Sequence, residues 1–309
     1  MSRWSTLLMD EAQLGELASV PVSEVMCHAE VSNRANPTPT ELYQRWERQQ
    51  WSAEQLVLEN DRETFVNGRI PPIIRTMIEN SIATFIIGEY TGLDMLGPIL
   101  TGSPDEEYSV FLGTQIADET RHTRAVFRLG AEVLGYDETP RNMLAQAWNK
   151  ATSAHVELSL LETEIVRDLH KQPLNYGQWL QAVTLFHLIT EGVLALVGQR
   201  VLVQGLRDID LFPGVKSAFV AMCRDESRHV GFGLHALRTG IREGYSDEIY
   251  EVLEKAVPLV MRLDNEFEGI ATDFSDMSKS ILRRHLKGIG ADPAFVEKLL
   301  SGYNAPNGS

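Results

Sequence analysis

One short motif occurs twice in this chain and constrains its fold more than any other feature. Residues 118–122 read Asp-Glu-Thr-Arg-His, and residues 225–229 read Asp-Glu-Ser-Arg-His. At 100° per residue, a Glu and a His three positions apart project from one face of an α-helix. A single Glu-x-x-His pair usually joins two surface neighbours, but two copies in the same context indicate a shared task. The four residues of the two pairs are Glu119, His122, Glu226 and His229.

Two further acids lie where a soluble helix normally carries apolar residues. Glu89 is embedded in ATFIIGEYTGL, and Glu191 is embedded in LFHLITEGVLALVG. A lone carboxylate in such a helix costs several kcal/mol unless it is paired or bound to a metal. A di-iron carboxylate bundle takes one Glu from each of two helices and a Glu-x-x-His from each of the other two. The sequence therefore predicts a dinuclear metal site.

The chain from about residue 38 to 300 is predicted to be helical throughout. No segment alternates as a strand would, and no Gly/Ser linker divides the chain. We expect an N-terminal segment at 1–37, one helical metal-binding domain at 38–300 and a frayed tail at 301–309. The predicted helices contain 41–50, run on from Pro71 and Pro72, extend from a cap at Ser103 to Gly135, and then cover about 137–170, 176–203, 215–244, 246–272, 275–288 and 292–301.

Composition excludes several classes of protein. Acidic residues outnumber basic ones 43 to 28, so the net charge is −15. A surface this negative repels phosphate backbones and anionic lipid, and we expect no nucleic-acid partner. Two cysteines cannot build a disulfide framework or a cysteine-ligated cluster. With no secretory segment and no apolar run long enough to span a bilayer, the chain is predicted to be cytoplasmic.

Residues beside the predicted ligands are given supporting roles. Asp118 and Asp225, which precede the motif glutamates, are expected to accept the second N–H of a metal-bound histidine. Arg121 and Arg228 are expected to form ion pairs at the edge of the bundle. His187 shares a face with the second isolated glutamate, and we expect it to be a hydrogen-bonded neighbour of the site rather than a seventh ligand.

Three segments resemble a known family. DETRHTRAVFR, FHLITEGVLA and RDESRHVGFG are similar to segments of the ribonucleotide reductase small subunit superfamily, with the closer likeness to its ligand-binding oxidase branch. The segment QWSAEQLVLENDR is similar to that superfamily's N-terminal tryptophan segment. The resemblance covers roughly 40–240. It implies a ferritin-like four-helix bundle with accessory helices, and a di-iron or manganese/iron centre. The ligand set implied is Glu89, Glu119, His122, Glu191, Glu226 and His229, with a Trp51–Asp225–His122 chain able to carry an electron to the metals.

The chain departs from this family at informative positions. The radical-forming tyrosine of most small subunits, four residues after the first histidine ligand, is Val126 here. The ligand-binding oxidases form a Tyr–Val ether link beside the metals, and the matching positions are Phe186 and Gly92. On an ideal α-helix Phe186 lies 140° around from Glu191, so only the resemblance places it beside the site. We assign Phe186, Gly92 and Val126 to a substrate pocket.

These features predict an O2-activating dinuclear metal oxidase or monooxygenase that acts on an apolar organic substrate inside the bundle. Its cofactors would be two iron ions, or one manganese and one iron, with O2 as co-substrate. We expect a homodimer served by an electron donor that the sequence does not identify. Hydroxylation, N-oxygenation and desaturation all remain open. The alternatives are the radical-generating small subunit of a ribonucleotide reductase and a non-enzymatic iron store.

Overall fold

The computed structural model describes residues 12–20, 36–267 and 274–301, and within these ranges it contains helices and no strand. A single helical turn at Leu14–Leu17 and a short 3₁₀ turn at Ala53–Gln55 accompany the longer helices. Those longer helices are α1 (Pro39–Arg48), α2 (Glu59–Asn67), α3 (Pro72–Thr101), α4 (Glu106–Arg128, continued by a π-helical Leu129–Leu134), α5 (Pro140–Trp148), α6 (Ser153–Lys171), α7 (Tyr176–Val183, Thr184–Ala195 and Leu196–Asp208 in one run), α8 (Pro213–Arg242), α9 (Ser246–Phe267), α10 (Phe274–Ile289) and α11 (Pro293–Ser301).

Four long helices form the centre of the bundle: α3, α4, α7 and α8. Helices α3 and α4 pack along their length, and α8 packs against both α7 and α4. Helix α8 is buried over almost its entire length, because accessory helices cover the sides that the other three leave open. By length and composition alone, Tyr176–Arg207 would pass as a membrane span, but 78% of its most apolar window is buried inside the protein. This apolar run is therefore a core helix of the bundle.

Several helices begin at side-chain caps, and one of these caps differs from the sequence prediction. Thr38 caps α1 in a capping box with Glu41. Helix α4 is capped by Asp105 rather than by Ser103, which was the predicted cap. The Asp105 carboxylate accepts a 2.9 Å hydrogen bond from the Tyr108 N–H, while the Ser103 hydroxyl bonds the Asp105 carbonyl. Both residues favour a cap, and the carboxylate of Asp105 is the one that reaches the N–H of the first turn.

Other helix boundaries differ from the prediction in the second half of the chain. The helix predicted over 137–170 is two helices, α5 and α6, because the chain turns after Trp148 and restarts at Thr152. The Thr152 hydroxyl accepts from the His155 N–H and caps the new helix. The end of the helix predicted over 246–272 and nearly all of the predicted tail, 302–309, lie outside the described residues.

Two segments of the central helices are π-helical. They are Leu129–Leu134, at the end of α4, and Thr184–Ala195, in the middle of α7. A π-helix closes its hydrogen bonds from residue i to i+5, so each turn holds one more residue than an α-turn. The wider turn changes which residues share a face, and the longer of the two segments contains Glu191.

The start of α8 is capped from another helix. Its N-cap residue, Phe212, has a left-handed backbone (φ +56°) and no side chain that can accept a hydrogen bond. Asp61 of α2 supplies the acceptor instead, because its Oδ2 takes a 2.6 Å hydrogen bond from the Val215 N–H. Asp61 is fully buried, and burial raises its pKa while hydrogen bonds from the α8 backbone oppose that rise. One buried carboxylate thus fixes the register between α2 and the helix that carries the second motif.

We expect Asp61→Ala to lower the free energy of unfolding by about 1–3 kcal/mol, since it leaves a buried backbone N–H without a partner. Asp61→Asn, which retains an oxygen acceptor, should lose less. Urea denaturation of the metal-free protein measures both. Glu63→Ala is the matched control, because Glu63 is an exposed acid on the same helix. Equal stabilities for the Asp61→Ala and Glu63→Ala proteins would contradict the capping role.

Candidate metal centre

The six predicted ligands meet in the middle of the bundle. Their donor atoms form two sets, each with all atoms within 4.8 Å of one another: Glu89, Glu119, His122 and Glu226 in one, and Glu119, Glu191, Glu226 and His229 in the other. Every member of both sets is buried. The two motif glutamates belong to both sets, so each can bridge two metal ions. The isolated glutamates and the histidines belong to one set each.

The two histidines point one nitrogen at the carboxylates and the other at an aspartate. His122 Nδ1 lies 3.3 Å from Glu89 Oε2, and His229 Nδ1 lies 3.3 Å from Glu191 Oε1. On the far side of each ring, Nε2 faces an aspartate of the opposite motif. His122 Nε2 is 3.2 Å from Asp225 Oδ2, and His229 Nε2 is 3.1 Å from Asp118 Oδ2.

This arrangement crosses the motifs, since each aspartate holds the histidine of the other helix and not of its own. The hydrogen bond at Nε2 leaves the Nδ1 lone pair free for a metal.

Arg228 lies between the two aspartates. Its guanidinium donates to Asp118 Oδ2 at 2.7 Å and to Asp225 Oδ1 at 2.8 Å, and it also bonds Gln49. The side chain is fully buried. The expectation that Arg228 forms an ion pair at the edge of the bundle is therefore wrong. Position 228 faces inward because α8 is enclosed on all sides, and the buried cation balances two buried aspartates.

Two tryptophans reach the same aspartates from outside the bundle. Trp51 Nε1 donates to Asp225 Oδ2 at 2.7 Å, so the chain Trp51–Asp225–His122 that the family resemblance implies is present in the structure. Trp46 Nε1 donates to Asp118 Oδ1 at 2.9 Å, which the sequence reasoning missed. The sequence signal for it was the pair of tryptophans within QRWERQQW, in the segment before the bundle.

His187 bonds the site through an amide. Its Nε2 lies 2.9 Å from Gln115 Oε1, and Gln115 Nε2 donates to Glu191 Oε1 at 2.9 Å. Burial lowers the pKa of His187 to about 3, and the charge of His229 adds to this, so the ring is neutral and donates from Nε2. It belongs to neither donor set, in agreement with a hydrogen-bonding role. Gln115, one helical turn before Glu119, was not predicted. Gly233 lets this part of α7 approach α8, since a β-carbon there would lie 2.3 Å from the His187 β-carbon.

The pKa values of the glutamates and histidines in the two donor sets are strongly shifted by burial and by the charges of their neighbours. Burial raises the pKa of Glu89 to about 8, and burial and the charge of Glu226 raise that of Glu191. Although burial opposes ionisation, the nearby imidazoles of His122 and His229 lower the pKa of Glu226 to about 2. The imidazoles behave oppositely, because neighbouring glutamates hold their pKa values well above normal despite burial. These shifts show that the crowded carboxylates create an environment that favours positive charge.

Three buried atoms of this cluster have no hydrogen-bond partner: Glu119 Oε1, His122 Nδ1 and Glu191 Oε2. Unpartnered buried polar atoms are rare because each costs about 1–3 kcal/mol. Here they converge in the two donor sets, and carboxylate oxygens with imidazole nitrogens are the ligands that iron and manganese accept. The residues therefore fit a pair of transition-metal ions.

Phe186 and Gly92 lie in contact beside the glutamates. A β-carbon on Gly92 would lie 3.1 Å from Phe186 Cε2 and 3.5 Å from Glu119 Oε2. The expectation that Phe186 lies 140° around the helix from Glu191 is wrong, because this stretch of α7 is π-helical and residues five apart share a face. The π-helix thus turns Phe186 toward the donor sets.

A cavity of about 150 Å³ lies beside the donor sets, lined by residues of α3, α6, α7, α9 and α10. All four glutamates of the donor sets line it, together with Phe186 and Gly92. The assignment of Val126 to the substrate pocket is not supported, because Val126 is fully buried and is not among the described residues that line the cavity. None of the described lining residues is Lys or Arg. The remaining wall is mainly apolar and includes Met77, Phe85, Leu158, Leu194, Val197, Leu202 and Phe274.

Glu162 of α6 is an unexpected acid in this cavity. Its side chain is 4% exposed, and its Oε1 accepts a 2.9 Å hydrogen bond from the Thr190 hydroxyl. Burial raises the pKa of Glu162 to about 7, against an opposing effect from Thr190. Sequence reasoning missed it because α6 looks like an ordinary amphipathic helix in which a glutamate would face solvent.

Comparison with known proteins supports this picture. Residues 31–290 match the family model described as ribonucleotide reductase, small chain. Among solved structures, the chain is similar to two variants of an R2-like ligand-binding oxidase with an anaerobically reconstituted Mn/Fe cofactor. One has a TM-score of 0.73 at 18% identity, covering 83% of this chain and 95% of that chain. The other has a TM-score of 0.70 at 18% identity, covering 82% and 92%. Comparison with curated protein sequences gave no match. The prediction of an all-α, ferritin-like bundle is confirmed.

We expect the protein to bind two transition-metal ions per chain, and variants of the glutamates should lower this number in different ways. Glu89→Ala and Glu191→Ala each disturb one donor set and should leave about one ion per chain. Glu226→Ala disturbs both sets and should leave less than one, and His122→Ala should remove at least one. Elemental analysis after loading with iron or manganese measures the occupancy.

The matched control for these variants is Glu107→Ala, which removes an exposed acid from α4 and should retain both ions. Metal loading should also raise the melting temperature of the wild-type protein, since the ions bind the folded state. Absence of bound iron or manganese, together with an unchanged melting temperature, would refute the assignment of the site.

Glu162 should make stability depend on pH. Its folded-state pKa of about 7 lies above the unfolded value of 4.5, so the folded protein binds the extra proton between these values. Stability should therefore fall as pH rises from about 4.5 through 7. Glu162→Gln should remove this part of the pH dependence and gain stability relative to wild type above pH 7, by at most about 3 kcal/mol. Thermal unfolding of both metal-loaded proteins from pH 5 to 8.5 tests this, and parallel curves would contradict it.

Proposed function

The chain belongs to the ribonucleotide reductase small-chain family, and within that family we propose that it is an O2-activating dinuclear metal oxidase or monooxygenase acting on an apolar organic substrate. One observation supports this above the others. The cavity is lined at one end by four glutamates of the donor sets and elsewhere mainly by apolar side chains. An apolar molecule in it would therefore lie against the site where O2 reacts.

The cofactor we propose is a pair of iron ions or one manganese and one iron ion. Support for it comes from the two donor sets and from the Mn/Fe cofactor of the structurally similar oxidases. The ligands would be Glu89, Glu119, His122, Glu191, Glu226 and His229. When bound, reduced ions of this kind supply the electrons and the open coordination positions that O2 needs.

The side chains of this chain have separate tasks in such a reaction. Glu119 and Glu226 stand between the two sets and can bridge the ions, whereas Glu89 and Glu191 each close one set. Asp225 and Asp118 hold the histidine rings through Nε2 and so fix the direction of each Nδ1 lone pair. The Gln115–His187 pair orients Glu191 in the same way.

The cavity wall directs oxidation toward a bound molecule. Phe186 stands where the ligand-binding oxidases have an oxidisable tyrosine, and a phenyl ring does not give up an electron and a proton as a phenol does. Gly92 lets this ring lie close to α3, since a β-carbon at position 92 would come within 3.1 Å of Phe186 Cε2. The oxidant is therefore available to a bound substrate. The proposed protein is a homodimer in the cytoplasm and receives its electrons from a separate donor. The proposal covers hydroxylation, N-oxygenation and desaturation of the bound molecule.

One alternative has an observation in its favour. The family match and the Trp51–Asp225–His122 hydrogen-bond chain both suit the radical-generating small subunit of a ribonucleotide reductase. Val126 occupies the position of the usual radical tyrosine, which argues against it. A persistent tyrosyl radical after addition of Fe(II) and O2, or co-purification with a large subunit, would favour this alternative.

Oxidation of an introduced tyrosine tests O2 activation at this site. We expect the wild-type protein to consume O2 after anaerobic loading with Fe(II) and to keep its calculated mass. In Phe186→Tyr the phenol lies against Gly92 and the donor sets, so the ring should become a radical or gain one oxygen atom. It should not form an ether link, because Gly92 has no side-chain carbon to receive it. Intact-mass spectrometry with peptide mapping measures the change.

Phe186→Leu is the control, since it changes the same wall without introducing an oxidisable group. A metal-loaded wild-type protein that consumes no O2 would refute the proposed function. A Phe186→Tyr protein that is fully loaded, consumes O2 and stays unmodified would show that residue 186 lies too far from the oxidant. Loss of two hydrogens from the wild-type protein would reveal a crosslink elsewhere.

A further inference from the structure

The second tryptophan, Trp46, has no task in the function proposed above, although its hydrogen bonds match those of Trp51. Trp46 Nε1 donates to Asp118 Oδ1 at 2.9 Å, and Asp118 Oδ2 lies 3.1 Å from His229 Nε2. The indole is half-buried, on the side of α1 that packs against α4 and α8. A continuous set of hydrogen bonds therefore joins the protein surface to the histidine of the second donor set.

The two tryptophan chains reach different donor sets. Trp51 leads to His122, which belongs with Glu89, and Trp46 leads to His229, which belongs with Glu191. Each metal position would thus have its own indole at the same number of hydrogen bonds. Arg228 joins the two chains through its bonds to both aspartates, but no described hydrogen bond links the two indoles directly.

Trp46 also has an oxidisable neighbour toward solvent, Tyr43. The two rings lie on one face of α1, with centroids 6.1 Å apart. The Tyr43 hydroxyl donates a 2.6 Å hydrogen bond to Glu47 Oε1, and Glu47 is exposed. A phenol gives up an electron readily only when its proton has somewhere to go, and the Glu47 carboxylate is placed to take it.

We propose that Tyr43 and Trp46 form a second electron path, which carries one electron at a time from the surface to the metal position at His229. This inference rests on the proposed function, because the oxidant is the oxidised metal centre. Trp46 would give one electron, through Asp118 and His229, to an oxidised ion held in the second donor set. The indole proton stays between Trp46 and Asp118. Tyr43 then gives one electron to the Trp46 radical cation and its hydroxyl proton to Glu47.

The path is restored from outside. A one-electron reductant returns an electron to Tyr43, and the proton returns from Glu47 to the phenolate oxygen. The electron donor of the protein would accordingly act at the surface formed by α1, on the outer side of Tyr43. Two indoles, one per metal position, suit an oxidation that needs two electrons delivered singly to a centre that the donor cannot touch.

Reduction of the peroxide-oxidised protein tests this path without any need for O2 activation. The protein is loaded with Fe(III) and oxidised anaerobically with hydrogen peroxide, which supplies the oxidising power above the ferric state that an indole requires. It is then mixed with ascorbate, and the return of the ferric absorption is followed by stopped flow. Trp46→Phe should slow the reduction by about tenfold, the rate change that corresponds to about 1.4 kcal/mol in the barrier. Tyr43→Phe should slow it as well, although Tyr43 contacts neither aspartate. Asp118 still accepts from Arg121 in the Trp46→Phe protein, so the acid is not left without a partner.

Two variants off the path serve as matched controls. Trp148→Phe removes an indole on α5 that is 37% exposed, and Tyr90→Phe removes an exposed phenol that stacks on Phe127. Both should be reduced at the wild-type rate, and iron content is measured in every variant. Equal rates for the path and control variants at equal iron content would overturn the second path. If Trp46→Phe loses iron, the Tyr43→Phe variant decides. A fully loaded Tyr43→Phe protein that is reduced at the wild-type rate would then overturn the second path.

The result also separates this inference from the proposed function. A protein that is reduced through Trp46 but consumes no O2 would support the path and refute the oxidase. A protein that consumes O2 and is reduced equally fast in all variants would support the oxidase and refute the path.

Discussion

The cost of burying four carboxylates and two imidazoles in one bundle governs the structure. An isolated buried carboxylate is unstable, and four of them within a few ångströms repel one another. Burial raises the pKa values of Glu89 and Glu191, and the neighbouring glutamates hold those of both histidines above normal. Next to these residues, the two negative charges of Asp118 and Asp225 are balanced by two cations, the buried Arg228 between them and Arg121 beside Asp118. Although burial opposes it, Arg228 holds the pKa of Asp225 well below its ordinary value, so both aspartates remain acceptors for the histidines.

Local backbone geometry then decides what faces this cluster. In an α-helix Phe186 would point away from Glu191, and the wall of the cavity would be a different residue. The π-helical stretch Thr184–Ala195 adds a residue to each turn and brings Phe186 and Glu191 onto one face. In the same stretch α7 lies close to α8, where Gly233 faces the His187 β-carbon. Because the π-helical stretch turns position 186 toward the cluster, a phenyl or a phenol at that position has different chemical consequences.

The sequence predicted most of the ligand side of the site and little of its surroundings. Two copies of Asp-Glu-x-Arg-His, with Glu89 and Glu191 in apolar helices, indicated the six residues because few other arrangements stabilise so much buried charge. Gln115 and Trp46 escaped, since a single hydrogen bond between distant segments leaves no periodic signal. Arg228 was misplaced at the edge of the bundle, because the motif gives no information on how completely α8 is enclosed. The cap of α4 and the break between α5 and α6 were missed where several residues favour a cap and packing selects one.

The two nitrogens of each histidine divide the site into two functional sides. Nδ1 faces the carboxylates and the cavity, and Nε2 faces an aspartate, an indole and the surface. The cavity is lined by the four glutamates but by neither His122 nor His229, so a bound molecule meets the metal positions from the carboxylate side. Electrons that arrive through Trp51 or Trp46 meet them from the imidazole side. A reductant at α1 therefore never competes with the substrate for space, and the internal symmetry of the two motifs gives each metal position its own approach for electrons.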